Sequence, residues 1–235
     1  MKRSTESIIL RRVAYRDADW IVTFFSRDSG RQSGIARSAR LSRRRFGGSL
    51  EPGSVVEIGY SECRGRGLLS LDRSSLLVPL NGILKSLERI GALSRSLALA
   101  LAFLQENEAN AEKFDLLRAR IERLAECDPR PIESAAFELR WLGLCGYAPS
   151  IGVCTACGAP AQGAGAWSFD FDKGGLACGS CRRGGRSVEL SAAARRGLCS
   201  LLDGGGCPDD ASAEAALSVM GRYVDHVLGR PLGVI

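Results

Sequence analysis

Two Cys-x-x-Cys pairs restrict this chain more than any other feature of its sequence. Cys154 and Cys157 form the first pair, and Cys178 and Cys181 form the second after twenty further residues. Pairs at this separation can place four thiolates around one tetrahedral Zn²⁺. Because all four positions are cysteine, no ligand position is left for a substrate, and we expect Zn²⁺ in a structural role. An iron–sulfur cluster and a set of reduced thiols without metal are the alternatives.

Positive charge is concentrated in the first third of the chain. Residues 1–80 carry 15 Lys and Arg against 8 Asp and Glu, a net charge of +7, whereas residues 81–235 carry 17 against 18. A basic segment beside a nearly neutral remainder favours a polyanionic partner. No apolar run is long enough to cross a bilayer, and the N-terminus does not look like a signal peptide. With nine cysteines in no regular framework, these features predict a cytoplasmic protein without membrane contact.

Short apolar runs separated by turn residues occupy the N-terminal segment. The runs are residues 7–14, 20–26, 31–38, 54–60 and 67–72. Five short strands with tight turns predict a small barrel of the OB type. The longer connection at residues 39–50 is expected to hold a short helix or a projecting loop.

The apolar period becomes helical after residue 80. Helical spacing is found in residues 84–104, 111–126, 132–145, 191–202 and 210–228. The cysteines lie in a glycine-rich stretch in which residues 167–171 alternate as in a strand. We therefore predict an α+β protein: an N-terminal OB-fold β-barrel followed by an all-α helical domain with an inserted four-cysteine zinc-binding motif. The predicted segments are 1–79 (barrel), 80–151 (first helical part), 152–186 (zinc insert) and 187–235 (second helical part).

A cluster of arginines follows the third predicted strand. Its members are Arg37, Arg40, Arg43, Arg44 and Arg45, with Phe46 directly after them. Guanidinium groups can form paired hydrogen bonds with phosphate oxygens, and an aromatic ring can stack on an unpaired base. Arg11, Arg27 and Arg31 add charge from other barrel segments. The cluster predicts nucleic-acid contact, and a solvated charged surface is the alternative.

The sequence offers no recognisable catalytic set. His226 is the single histidine, and no glycine-rich loop with a following lysine is present to hold a nucleotide phosphate. The acidic pairs Asp17/Asp19 and Asp170/Asp172 could hold Mg²⁺, although such carboxylates commonly serve turns. We therefore expect a protein that is not an enzyme.

Several short motifs follow one another along the chain. They are IILRRVAY at 8–15, ARSAR at 36–40, RFGGSLEP at 45–52, FELRWL at 137–142, LCGYAP at 144–149 and LGRPL at 228–232. In this order the set resembles the RecO family of bacterial recombination mediators. Trp20 departs from the family, in which a charged residue is more usual; its ring could either stack on a base or pack into the core.

The resemblance implies a function that no single motif establishes. Proteins of this family bind single- and double-stranded DNA, anneal complementary strands without ATP, and act with RecR and the single-stranded-DNA-binding protein to help load RecA. On this sequence, DNA contact is carried to the segment from Arg37 to Phe46. The acidic tail of the single-stranded-DNA-binding protein docks on the helical domain of the family, where Arg140 is the candidate contact.

Two other functions are compatible with the residues alone. One is a metal-dependent nucleic-acid enzyme, which Mg²⁺-dependent cleavage would reveal. The other is a zinc-ribbon adaptor that binds proteins, which an absence of DNA affinity would favour. The basic N-terminal segment and the resemblance rank both below a mediator that acts near the nucleoid.

Overall fold

A computed structural model describes residues 2–42, 44–62, 68–161, 165–182, 185–201 and 209–233 of the chain. The chain divides into two compact units, one reaching to Asp128 and including Gly233, the other spanning Pro129–Leu232. The division after Asp128 falls inside the predicted first helical part, residues 80–151, and coincides with none of the predicted domain boundaries. Those boundaries stay a prediction. In the described ranges, no helix combines the length and apolar character needed to cross a membrane.

Five strands form a closed barrel in the first unit. They are β1 (Lys2–Tyr15), β2 (Asp19–Ser26), β3 (Gly30–Ala36), β4 (Val55–Glu62) and β5 (Leu69–Val78). The barrel closes in the order β1-β2-β3-β5-β4, with β3 and β5 parallel and the other neighbours antiparallel. This order confirms the predicted OB-type barrel. β1 is longer than the predicted strand because its first half pairs with β4 and its second half with β2.

Alternating side chains of the strands fill the barrel interior. Ile9 of β1, Phe24 of β2 and Ile58 of β4 are fully buried members of this core. Ile8 and Leu10 flank Ile9 and point to the opposite face of β1, yet they are also fully buried. At these two positions the outer face of β1 is therefore covered by other parts of the chain.

The connection between β3 and β4 contains turns in its described residues, and no helix. Ala39, Phe46 and Leu50 are buried in the barrel core, so these apolar side chains anchor the connection. The backbone amide of Ser74 on β5 donates to the carbonyl of Arg45 over 2.9 Å and fixes the connection to the barrel wall. Of the two alternatives, a short helix and a projecting loop, the described residues show a loop, and its buried side chains anchor it to the barrel.

Two helices complete the first unit. After a short 3₁₀ helix (Leu80–Lys85), α1 spans Leu87–Phe103 and α2 spans Ala111–Glu126. Each begins at a side-chain cap, Ser86 for α1 and Asn110 for α2. Phe114 of α2 packs edge-on against Phe25 of β2, with ring centroids 5.6 Å apart.

In its described residues, the second unit combines three helices with a small sheet. α3 spans Pro131–Leu144, α4 spans Ala192–Ser200 and α5 spans Asp210–Leu228. The strands β6 (Trp167–Asp170), β7 (Gly175–Cys178) and β8 (Ser187–Glu189) form an antiparallel sheet in the order β7-β6-β8. Phe169 of β6 packs on Tyr223 of α5, with centroids 5.3 Å apart. The helices match the sequence prediction, whereas β7 and β8 are too short to show a clear alternation.

Candidate nucleic-acid interface and metal centre

Four of the arginines after β3 are exposed and have no carboxylate partner among the described residues. Within the part of the chain that the structure describes, Arg37, Arg40, Arg44 and Arg45 form no ion pair, and all four are exposed. Arg40 Nη1 donates to the carbonyl of Asp17 over 2.9 Å, and Arg45 Nη2 donates to the carbonyl of Arg37 over 2.6 Å. A carbonyl acceptor orients a guanidinium without cancelling its charge. Arg43 lies outside the described residues.

Two other predicted DNA-contacting arginines serve the fold. Arg27 forms a two-point ion pair with Asp115 of α2, and its second contact measures 3.0 Å. The hydrogen bond and negative charge of Asp115 raise the pKa of Arg27. Arg31 donates to the carbonyl of Leu101 over 3.3 Å and lies 3.5 Å from Glu106. These contacts hold the helical part of the first unit against the barrel, so both guanidinium groups are already engaged. Their assignment to DNA contact stays a prediction, as does that of Arg11, which is exposed on β1.

Phe46 does not lie on the surface. Its side chain is 3% exposed and belongs to the barrel core, and the guanidinium carbon of Arg45 lies 5.1 Å from its ring centroid. A buried ring cannot stack on a nucleobase, so this part of the sequence interpretation is corrected. The physical reason is burial: an aromatic ring gains more from a place in the barrel end than from exposure beside charges.

Trp20, and not Phe46, offers a partly accessible aromatic ring beside the arginines. Its ring is partly buried at the start of β2 and packs against the barrel core. The guanidinium carbons of Arg12 and Arg40 lie 4.6 and 5.6 Å from the ring centroid. Arg12 pairs with Val22 in the β1–β2 register, which places it diagonally opposite Trp20 on the same face. The β1–β2 turn predicts this register, so the diagonal pair was accessible to sequence reasoning.

These residues line a cavity of about 320 Å³, the Trp20 pocket. Its lining includes Arg12, Trp20, Arg40, Gly47, Gly48 and Glu51. Glu51 forms an ion pair with Arg12 over 2.6 Å. The amides of Gly47 and Gly48 donate to no acceptor among the described residues, and both glycines are exposed. The pocket thus combines an aromatic face, a neutralised arginine and open amides.

The four cysteines come together in the second unit. All four Sγ atoms lie within 4.8 Å of one another, and those of Cys157 and Cys178 are 3.8 Å apart. A tetrahedral ion with Zn–S bonds near 2.3 Å requires S–S separations of about 3.8 Å. A disulfide would bring two sulfurs to about 2.05 Å. In the described ranges, no other set of three or more His, Cys, Asp or Glu side chains meets the same distance test. The cluster could therefore hold a metal such as zinc.

Backbone pairing positions both cysteine pairs. Cys178 ends β7 opposite Trp167 of β6. Thr155, which lies between the two cysteines of the first pair, donates a hydrogen bond from its backbone amide to the carbonyl of Leu176 over 2.7 Å. A backbone hydrogen bond closes the tight turn that follows the first cysteine of each pair. The amide of Gly158 donates to the carbonyl of Cys154, and the amide of Cys181 donates to the carbonyl of Cys178. The β6–β7 hairpin and the first turn thus face each other with their sulfurs inward.

The thiols of the cluster have divergent acidities. Burial opposes ionisation of Cys154, but amide hydrogen bonds, led by that of Cys178, bring the pKa of Cys154 down to about 6. Hydrogen bonding with Cys157 and Cys178 raises the pKa of Cys181 to about 12. Four thiols this close cannot all ionise without a cation, because like charges disfavour one another. A divalent ion would remove that penalty and displace the remaining protons.

The remaining predicted residues have ordinary surroundings. Arg140 is exposed on α3, and its role as a partner contact stays a prediction. Asp19 accepts a hydrogen bond from the amide of Ser38 over 2.8 Å, and Asp170 accepts one from Lys173 over 3.1 Å. Asp172 accepts a hydrogen bond from the backbone amide of Arg186, and its Oδ1 atom lies 3.5 Å from Nε2 of His226. Asp170 thus supports a turn, whereas Asp19 and Asp172 link segments that are distant in sequence.

Comparison with known proteins relates the whole chain to one family. The family models "Recombination protein O N terminal" and "Recombination protein O C terminal" match residues 1–79 and 84–234. A DNA repair protein RecO of Anaeromyxobacter dehalogenans strain 2CP-C is 35% identical over 96% of this chain and 91% of its own length. One of Syntrophus aciditrophicus is 30% identical over 97% and 92%, and one of Geobacter metallireducens is 34% identical over 83% and 79%.

Proposed function

The chain belongs to the RecO family of DNA repair proteins, and from this we propose that it is a non-catalytic recombination mediator. It binds single- and double-stranded DNA, anneals complementary strands without a nucleotide, and helps to load RecA together with RecR and the single-stranded-DNA-binding protein. The name that these relatives share, DNA repair protein RecO, supports a role in DNA repair, and the family supports a site of action on cytoplasmic DNA.

One observation carries this proposal: the arginines after β3 keep their charge available. Arg37, Arg40 and Arg44 are exposed, and carboxylates of the described chain do not neutralise them. Guanidinium groups in this state bind phosphate by charge-assisted hydrogen bonds and release condensed counterions. The DNA-contact role of Arg43 is part of the same proposal.

Annealing follows from the same electrostatics. Two complementary strands repel each other through their phosphates, and a cationic surface lowers that repulsion while pairing begins. No covalent bond changes, so neither a catalytic residue nor a nucleotide is needed.

A charge-removal experiment tests the proposal. We expect the triple variant Arg37→Gln, Arg40→Gln, Arg44→Gln to bind DNA more weakly than the wild type, whatever the DNA sequence, and to anneal complementary strands more slowly. If all three contact phosphates, the slope of log affinity against log salt should flatten by about 2 for single strands. Fluorescence anisotropy with labelled oligonucleotides across a salt series measures both quantities. Annealing is followed on bare strands and on strands coated with single-stranded-DNA-binding protein.

A matched control separates local contact from net charge. The variant Arg186→Gln, Arg222→Gln, Arg230→Gln removes the same three charges from the second unit, and we expect a smaller change in slope. Equal slopes for the two triple variants, or an unchanged slope in the first, would contradict the proposed interface. Cleavage of DNA in Mg²⁺ would instead indicate an enzyme, and absence of DNA binding would indicate an adaptor.

The same proposal includes Zn²⁺ as a structural ion at Cys154, Cys157, Cys178 and Cys181. The sulfur separations and the all-thiolate donor set support this choice. A closed four-sulfur site supplies cross-linking of the two Cys-x-x-Cys turns, with no open position for catalysis.

A further inference from the structure

We infer that the Trp20 pocket holds one unpaired nucleobase, and that this contact makes the barrel prefer single-stranded DNA over duplex. The inference rests on the proposed function, because it specifies how the same interface distinguishes its substrates. The arginines around the pocket bind phosphate in any nucleic acid, whereas the pocket accepts a ring that only an unpaired strand can present.

Trp20 is the tryptophan with an accessible ring. Trp141 is fully buried and Trp167 is 6% exposed, while Trp20 is only partly buried. Trp20 lies at the start of β2 beside β3, on the strands that OB barrels commonly use for oligonucleotides. Aromatic rings in such positions stack on bases with little regard to sequence, because every base has a π face.

The charges around the pocket favour a neutral ring inside it. The ion pair with Glu51 neutralises Arg12 and keeps its guanidinium beside the Trp20 ring. A phosphate at that place would meet the Glu51 carboxylate and be repelled. Arginine planes also serve as stacking surfaces for unpaired bases, so Arg12 extends the aromatic face.

The rim of the pocket has the opposite character. Arg40 is exposed and held by the carbonyl of Asp17, and the exposed residues Gly47 and Gly48 also line the pocket. These donors suit the phosphates that flank an inserted base. One nucleotide can thus meet the cavity with its ring and the rim with its charge.

Duplex DNA cannot use the pocket without disruption. Its bases are stacked and paired, and extrusion of one costs a few kcal/mol. A duplex therefore gains only the phosphate contacts. Since only one base of a bound single strand occupies the pocket, its neighbours stay free to pair with a complementary strand.

Substitution of Trp20 tests the inference by the ratio of two affinities. We expect Trp20→Ala to weaken binding of a single-stranded oligonucleotide by about 5- to 150-fold, the range for one base–aromatic stack. Binding of a blunt duplex of the same length should stay within about twofold of wild type, because phosphate contacts are unchanged. Trp20→Phe should retain most of the single-strand affinity. Trp20→Leu, which keeps apolar packing but has no π face, should behave like Trp20→Ala.

Tryptophan fluorescence gives an independent measurement. We expect a single-stranded oligonucleotide to quench the emission of the wild-type protein, and an abasic strand of equal charge to quench it much less. Trp20→Phe should abolish the quenching, because the other tryptophans are buried in the second unit. Tyr147→Ala, which removes an exposed aromatic ring from that unit, is the matched control and should match wild type in every assay.

Three results would overturn the inference. They are an unchanged single-strand affinity in Trp20→Ala, an equal loss for duplex and single strand, or full recovery in Trp20→Leu. The last two would assign Trp20 to packing. Failure of the proposed function is distinguishable, since the wild-type protein would then bind neither form of DNA.

Discussion

At the scale of single residues, arginine side chains of the barrel divide by what they contact. Arg27 and Arg31 meet acidic side chains and carbonyls of the helical region and act as part of the fold. Arg40 and Arg45 meet carbonyls and aromatic rings but no carboxylate of the described residues, so their charge stays available to a polyanion. Charge counting treats all four alike, and the partner of each guanidinium decides its role.

The cysteine cluster provides a prediction at this scale. We expect Cys157→Ser to lower the bound zinc to well below one ion per chain, because a neutral hydroxyl is a poor replacement for a thiolate ligand. Loss of the ion should also lower the melting temperature, by about 2–4 °C for each kcal/mol of lost stabilisation. Metal content is measured by elemental analysis after gel filtration, and melting by calorimetry.

Cys199→Ser is the control for that experiment. Cys199 lies on α4 outside the cluster, so its variant should keep one ion per chain. A Cys157→Ser protein with normal zinc and an unchanged melting temperature would show that the four thiols do not form a structural metal site.

At the scale of elements, the loop between β3 and β4 is shaped by its anchors. Phe46 and Leu50 are buried in the barrel end, and Ser74 binds the loop backbone from β5. The exposed arginines beside these anchors consequently point away from the core. An anchored loop presents a charged surface with less loss of conformational entropy on binding than a free loop would.

The turn between β2 and β3 gives a prediction for this scale. Gly30 has φ of +76°, and a Cβ atom there would lie 2.2 Å from the backbone oxygen of Glu108. Gly30→Ala therefore combines backbone strain with a clash against an unyielding backbone. We expect it to lower the free energy of unfolding by about 2–5 kcal/mol.

Gly48→Ala isolates the backbone part of this effect. Gly48 has φ of +81°, and no atom lies within 4 Å of its added Cβ. We expect Gly48→Ala to lower the free energy of unfolding by about 1–2 kcal/mol, from backbone strain alone. Urea unfolding with an unchanged m-value compares the two variants. Equal costs would mean that the approach of Glu108 to the turn is not tight.

At the scale of the whole molecule, the first unit is larger than its barrel. Both faces of β1 are buried at Ile8, Ile9 and Leu10, and Phe25 of β2 packs on Phe114 of α2. A barrel cut at residue 79 would expose much of this apolar surface to water. We therefore predict that the helices up to Asp128 belong to the same folding unit as the barrel.

Two fragments test this conclusion. We expect residues 1–128 to unfold cooperatively in urea, and residues 1–79 to lose cooperativity or aggregate, because exposed apolar area costs about 25 cal/mol per Å². Near-ultraviolet circular dichroism and sedimentation compare both fragments with the full chain. A 1–79 fragment as stable as the longer one would contradict this prediction and support the boundary predicted at residue 79.

Membership of the RecO family, the α+β class, the OB-type barrel and the four-cysteine cluster could all be predicted from the sequence, and each prediction is confirmed. The signals involved are local: strand alternation acts over two residues, helical period over about four, and Cys-x-x-Cys within one turn. Two cysteines three residues apart, such as Cys154 and Cys157, can bind the same metal ion because a single turn of the chain brings both sulfurs to one side. The DNA contacts and the identity of the metal ion stay predictions.

The tertiary structure alone decided which of these residues are accessible. Arg27 and Asp115 are 88 residues apart in sequence, and no local pattern pairs them. Phe46 and Trp20 are both aromatic residues near arginines and both line the same pocket, yet Phe46 is buried in the barrel core while Trp20 is only partly buried. Burial and ion pairing depend on contacts between distant parts of the chain, so the division between core, support and binding surface emerges only when the barrel closes.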